Sequence, residues 1–303
     1  MLIKPSGNFR LLPRPLSGPL AALRRLALAL LLALAAAKPG AAQDGPARVA
    51  SLGGAVTEIV YALGEQGRLV ARDSTSTFPP EAQALPNVGY VRALSAEGVL
   101  SLAPDLILAE QNSGPQEALD VLAEAQIPLV LVPDGYDGAA IRRKIEVVAG
   151  ALGVPAKGEA LAQQVEADLV EATRAAQRDA PVRVLFLLSM QGGRLMAAGR
   201  GTSAEGIITL AGAQNALTGF EGYKQVADEA VLEAAPEVIL MMERGGDHGG
   251  AVDDILAHPI LGQTPAAKSG AVLRQPGLLL LGFGPRTPQA VRALSEAIAA
   301  TRP

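Results

Sequence analysis

Residues 94–110 read LSAEGVLSLAPDLILAE and residues 226–243 read VADEAVLEAAPEVILMME, and the two stretches align without a gap. Glu97 falls on Glu229, Pro104 falls on Pro236, and the apolar run after each proline matches position by position. In each copy a short helix-forming segment is stopped at Ala-Pro and followed by a continuous apolar strand, the pattern of a strand buried on both faces of a parallel sheet. Further echoes keep the same order: RVASL at 48 with RVLFLL at 183, and ALGEQ at 62 with LAGAQ at 210. One such match arises readily between any two αβ units; several in the same order imply two similar α/β lobes.

Between the two copies the pattern changes. Residues 139–151 and 156–178 are rich in Ala with Glu, Gln, Lys and Arg interleaved, all good helix formers, and Pro181 closes the second stretch. At ~1.5 Å per residue that second helix would run about 30 Å. The expected fold is therefore α/β, with two Rossmann-like lobes built on parallel sheets and joined by a single long α-helix. The divisions are a leader at 1–42, an N-terminal lobe at 43–153, the bridging helix at 154–180 and a C-terminal lobe at 181–303. A ligand cleft is expected between the lobes, where the carboxyl ends of the strands converge. A continuous helix bends less readily than paired extended linkers, so only a small closure is expected on binding.

Composition narrows the function. The 303 residues are 49 % apolar but only 3 % aromatic, with 26 basic and 30 acidic groups. A net charge of −4 gives no general attraction for nucleic acid. The absence of Cys removes disulfides, thiol nucleophiles, thiolate zinc sites and iron–sulfur clusters, so a metal would have to be held by His, carboxylate or phenolate. Residues 1–42 carry six of the basic groups, no acid, and the run LALALLLALAAA at 26–37. Twelve apolar residues span ~18 Å as a helix, short of a ~30 Å hydrocarbon core, so the segment reads as a secretory signal cut near Gln43. Its loss would leave the exported chain at −10, with no Cys to carry a lipid anchor, free in a Gram-negative periplasm and monomeric.

Enzyme readings find little in the sequence. GxSxG, GxxxxGK and HExxH are all missing, and His248 and His258 are too few for a His-based triad or a three-His metal site. GRGTSAEG at 199 has the wrong glycine spacing for a dinucleotide loop.

The segment DSTSTFPPEAQALPNVGYVRALSAEGVLSLAPDLILA at 73–109 resembles the N-terminal lobe of periplasmic haem-binding proteins that serve bacterial haem ABC importers. The wider likeness covers nearly the whole exported chain and extends to binding proteins for cobalamin and ferric siderophores, which are the alternative reading; a secreted α/β enzyme is a more distant one. The stretch VGYVRALSAEG points to haem, because cobalamin and siderophore binders generally lack this tyrosine. The resemblance implies a protein that is not an enzyme and that takes up ferric haem b as cargo. It would pass that cargo to a permease and its ATPase subunits, meeting the membrane only through the permease.

The resemblance also implies roles for particular residues. Tyr90 would be the axial ligand, a hard anionic phenolate suited to ferric iron. If NVGYVR is extended, Arg92 projects on the same side and favours the phenolate form. Some relatives add a His from the other lobe, but the corresponding LLSMQGGRLMAAG offers Ser189, Met190 and Gln191 instead, which implies tyrosine alone. Arg92 and Arg244 match positions near the haem, with Lys224 and Arg274 as weaker candidates for its propionates. Tyr136 in PDGYDG and Tyr223 in FEGYKQ are expected to cover the porphyrin faces, whereas Tyr61 reads as core. His248 reads as a loop residue and His258 as structural. Glu97 and Glu229, equivalent in the repeat, would dock on the permease.

Overall fold

A computed structural model describes residues 45–243 and 252–301. The chain runs β1 (Val49–Leu52), α1 (Gly54–Ala62), β2 (Leu69–Arg72), β3 (Gly89–Tyr90), β4 (Ala93–Leu94), α2 (Ala96–Leu100), β5 (Leu106–Glu110), α3 (Gln116–Glu124), β6 (Leu129–Val132) and α4 (Gly138–Ala151). Helix α5 (Pro155–Ala175) follows. The remainder is β7 (Arg183–Gln191), β8 (Arg194–Ala198), α6 (Ser203–Leu210), β9 (Gln214–Asn215), β10 (Tyr223–Val226), α7 (Asp228–Ala234), β11 (Val238–Glu243), α8 (Val252–Ala257), α9 (Pro265–Lys268), β12 (Val272–Pro276), α10 (Gly277–Leu281) and α11 (Thr287–Ala300). The expected leader at 1–42 lies outside the described residues.

The sequence repeat is a repeat of backbone conformation. Ala103 and Ala235, equivalent in the alignment, both take left-handed φ, at 45° and 42°, which stops α2 and α7 before the prolines and turns the chain into β5 and β11. Each left-handed alanine is held the same way. The Arg48 guanidinium Nε donates to the Ala103 carbonyl at 2.8 Å, and the Arg183 Nε donates to that of Ala235 at 3.1 Å. Asp105 then accepts the Arg48 amide, and Glu237 the Arg183 amide. Arg48 and Arg183 open β1 and β7, so one device sets the start of the central strands in both lobes.

The first lobe is a four-stranded sheet in the order β2-β1-β5-β6, parallel throughout. All of β1 and the first four residues of β5 are buried, which is why these strands are continuous apolar runs. The second sheet runs β10-β8-β7-β11-β12 with β9 beside β7. It is not wholly parallel. Gly192 and Gly193, with φ of 57° and 74°, make the two-residue turn that folds β8 back antiparallel on β7, and β10 adds antiparallel to β8. The parallel part, β7-β11-β12, corresponds to the repeat.

Two local expectations are corrected. The segment NVGYVR is not extended through Arg92: Tyr90 pairs with Ala93, so Val91 and Arg92 form the turn of a small hairpin. The turn is pinned from the side, with the Gly114 amide donating to the Val91 carbonyl and the Leu94 amide to that of Gly114. The long helix spans 21 residues, about 31 Å, and ends before residue 180. Its last turn is closed by Arg178, whose guanidinium folds back to donate to the Ala176 carbonyl and also reaches the Ser295 hydroxyl.

Helix α5 packs against α4 on one side and α11 on the other, so it is shared by the two lobes. One apolar core runs through both: Val49, Ile59 and Ile145 of the first half belong to the same cluster as Phe186, Ile207 and Leu294 of the second. Close approach at this seam depends on Gly206, where a Cβ would lie 2.7 Å from Tyr136 Cβ and 2.9 Å from the Phe283 ring. The Tyr136 and Phe283 rings meet edge to face, 5.3 Å between centroids. Beside them the Arg286 guanidinium pairs with the buried Glu58 carboxylate and stacks on Phe78, 3.5 Å from the ring centroid.

A cleft between the lobes

The carboxyl ends of the parallel strands open onto a cavity of about 1090 Å³. That is at the upper limit of the ~300–1,000 Å³ typical of small-molecule and cofactor sites, and suits a bulky ligand. Phe78, Tyr90 and Arg92 line it from the first lobe, and Leu188, Tyr223, Met242, Leu278 and Leu281 from the second. Helix α10, the run GLLLL, supplies much of the apolar wall because Gly54 lets it lean on the start of α1. A Cβ on Gly54 would lie 2.3 Å from Leu278 Cδ1.

Of the residues singled out in the sequence, four meet here. Tyr90 is 46 % exposed at the rim with Arg92 at the turn beside it, and Tyr136 and Tyr223 lie further in, partly buried. The Tyr136 hydroxyl donates to Asp134 Oδ2 at 2.9 Å, and Tyr223 shares a hydrogen bond with Ser203 Oγ at 3.0 Å. Burial first, then the Asp134 charge and this hydrogen bond, hold the Tyr136 phenol well above the usual phenolic range. Arg244 and His248 lie outside the described residues. Lys224 and Arg274 do not line the cavity, and of the strand expected to offer a second ligand it is Leu188 that does. His258 accepts the amides of Ile260 and Leu261 on its Nδ1, capping the turn after α8. Glu97 and Glu229 are exposed in the first turns of α2 and α7, with no ion pair among the described residues.

Other residues of the cavity were not singled out in the sequence. Glu110 ends β5 and lies against Gly53, where a Cβ would come within 2.6 Å of its carboxylate. Burial, opposed by Lys144 but reinforced by Asp73 and Asp134, pushes its carboxyl from the ordinary 4.5 up to about 7. Lys144 of α4 is buried, and burial pushes its ammonium down against the pull of Asp134 and Glu110. Asp73 differs in being saturated, since its two oxygens accept from the Gly53 and Thr75 amides and from the Thr75 and Ser76 hydroxyls.

Two sheet-bearing lobes that share one core and enclose a large, mixed aromatic and aliphatic cleft define a bilobal binding protein for a bulky solute. The chain belongs to the periplasmic binding protein family, whose model matches residues 49–277. In structure it is similar to the periplasmic heme-binding protein BhuT in complex with two hemes, at 40 % identity and TM-score 0.80 over 84 % of this chain and 98 % of that one. It is equally similar to the periplasmic heme-binding protein RhuT from Roseiflexus sp. RS-1, at 40 % identity and TM-score 0.81 over 85 % and 99 %. A vitamin B12-binding protein of Pectobacterium atrosepticum is 32 % identical over 216 residues, 69 % of this chain and 74 % of that protein.

The raised Glu110 carboxyl has a consequence for the ligand-free protein. A folded pKa near 7 against 4.5 means that this group's contribution to stability is complete below about pH 4.5 and is lost as pH rises through 7. Glu110→Gln keeps an acceptor but cannot ionise. The unfolding free energy of Glu110→Gln, measured by denaturant titration against the wild type, should therefore gain progressively between pH 4.5 and 7 and level off above, by a few kcal/mol at the plateau. A difference independent of pH would contradict it.

Proposed function

We propose that this protein captures haem in the interlobe cleft and delivers it to an ABC importer of the inner membrane. The observation that carries this reading is Tyr90, a phenol 46 % exposed at the rim of the cavity, with Arg92 beside it in the same turn. A phenolate is a hard anionic ligand for ferric iron, and a neighbouring guanidinium favours that form. The 40 % identity to BhuT and to RhuT supports haem as the cargo. In this account Tyr90 is the single protein ligand to the iron of ferric haem b, and Tyr136 and Tyr223 cover the porphyrin together with the leucines of α10. Arg92 and Arg244 meet propionates. The protein works in the periplasm of a Gram-negative bacterium, as a monomer, after loss of the leader at 1–42.

Delivery needs a contact with the permease, and Glu97 and Glu229 are the residues for it. They are exposed, unpaired with any cation among the described residues, and held at equivalent places by the same helix, left-handed alanine and strand in each lobe. Two carboxylates so placed suit two basic groups on a permease carrying the ATPase subunits. The 32 % identity to a vitamin B12-binding protein keeps cobalamin as the competing cargo, which has no use for an iron-ligating phenol.

Adding hemin to the purified protein should shift and sharpen the Soret band and bring in a phenolate-to-iron charge-transfer absorption. Tyr90→Ala should lose that absorption and bind about tenfold or more weakly, without losing binding altogether, because burial of the porphyrin faces contributes independently. A Tyr90→Ala spectrum identical to wild type, or tight binding of cobalamin with none of hemin, would overturn the reading. For delivery, the double variant Glu97→Arg, Glu229→Arg should bind hemin as the wild type does yet abolish uptake in cells that depend on this importer. Normal uptake by that variant would remove the docking assignment.

A further inference from the structure

Lys144 is only 5 % exposed, yet among the described residues its ammonium makes no hydrogen bond. Its nearest carboxylate oxygen, Asp134 Oδ1, is 3.9 Å from Nζ, and the Phe283 ring centroid is 6.0 Å away. The ion pair with Asp134 is long, at 3.9 Å, whereas a buried ammonium is ordinarily held by short charge-assisted hydrogen bonds. Three carboxylates lie around it: Glu110, whose carboxyl burial pushes towards the neutral form, and two that accept from other donors. Asp134 accepts from the Tyr136 hydroxyl, the Asn112 amide side chain and the Gly135 amide, and Asp73 is saturated by four donors. What remains open to the Lys144 donors is the cavity, which the residue lines.

We propose that Lys144 is a carboxylate-binding subsite at the deep end of the cleft, separate from the rim pair Tyr90 and Arg92, and that it takes an acidic side group of the bound ligand. The inference rests on the haem reading, under which that group is a propionate of the porphyrin. Its low exposure strengthens an ammonium–carboxylate contact relative to one at the rim. Glu110 does not prevent it, since burial raises its carboxyl pKa and favours the neutral form. The cost of burying Lys144 with only a long ion pair in the empty protein is offset when the ligand's carboxylate arrives, which ties affinity to the presence of an acid on the ligand.

The test compares hemin with hemin dimethyl ester, in which both propionates are neutral, by Soret titration of the wild type, Lys144→Met and Lys144→Arg. Lys144→Met should bind hemin about tenfold or more weakly, the worth of a charge-assisted hydrogen bond, while its affinity for the diester stays within about twofold of wild type. Lys144→Arg should recover most of the hemin affinity. The melting temperature of empty Lys144→Met should equal or exceed that of the wild type, because a buried charge held only by a long ion pair has been removed. Should the Met variant not fold, Lys144→Gln should show the same split between hemin and its diester. Unchanged hemin affinity, or an equal loss for both ligands, would overturn the subsite while leaving the haem reading intact. Failure of the wild type to shift and sharpen the Soret band of either porphyrin would overturn the haem reading, and the propionate assignment with it.

Discussion

Everything at the cleft depends on the seam where the two lobes share a core. Tyr136 from the first lobe and Phe283 from the second interlock over Gly206, and a side chain at that glycine would separate them. The seam then continues through the buried Glu58, whose carboxyl is pushed up by burial and pulled back by Arg286. Breaking a buried pair of this kind costs about 3–5 kcal/mol. Because these contacts join first-lobe residues to second-lobe residues at the base of the cleft, they set its width before any ligand is present.

The polar groups around that base are of two sorts. Asp73, with the hydroxyls of Ser51, Thr57 and Ser76, forms a closed set that ties β1, α1 and the chain after β2 together. Such a set gives rigidity, because each member's hydrogen-bonding capacity is met within the fold. Glu110 and Lys144 form the open set, in which burial moves both groups away from their ordinary titration ranges and the ammonium is left facing the cavity. Closed sets of this kind hold the walls, and open ones are what a ligand completes.

The architecture was legible because the repeat is encoded in residues with strong local effects. Ala-Pro stops, apolar strands and an opening arginine recur in both halves, and the structure gives both alanines the same left-handed backbone. The hairpin at Gly192-Gly193 was not read from the sequence: the run RVLFLL before it reads as one more parallel strand, and only the pairing of β8 shows the sheet to be mixed. At the site, Tyr90 and Arg92 stand out as residue types, but their turn does not. Val91 and Arg92 lack the turn residues Gly, Asn or Pro, and their geometry comes from distant hydrogen bonds to Gly114. Lys144 was hidden for a different reason: in IRRKIEVV it looks like any basic residue on an amphipathic helix, and only tertiary packing buries it. Phe78 and Arg286 are likewise separated by more than 200 residues, and no local pattern connects them.

The central claim is that the shared core fixes the cleft, so that ligand enters a site already formed. Small-angle scattering of the empty and hemin-saturated protein tests this directly. The account predicts nearly superimposable curves, with the lobes rotating by a few degrees at most, because a larger closure would have to open the Tyr136–Phe283 contact and the Glu58–Arg286 pair. A contraction corresponding to tens of degrees of lobe rotation would contradict it.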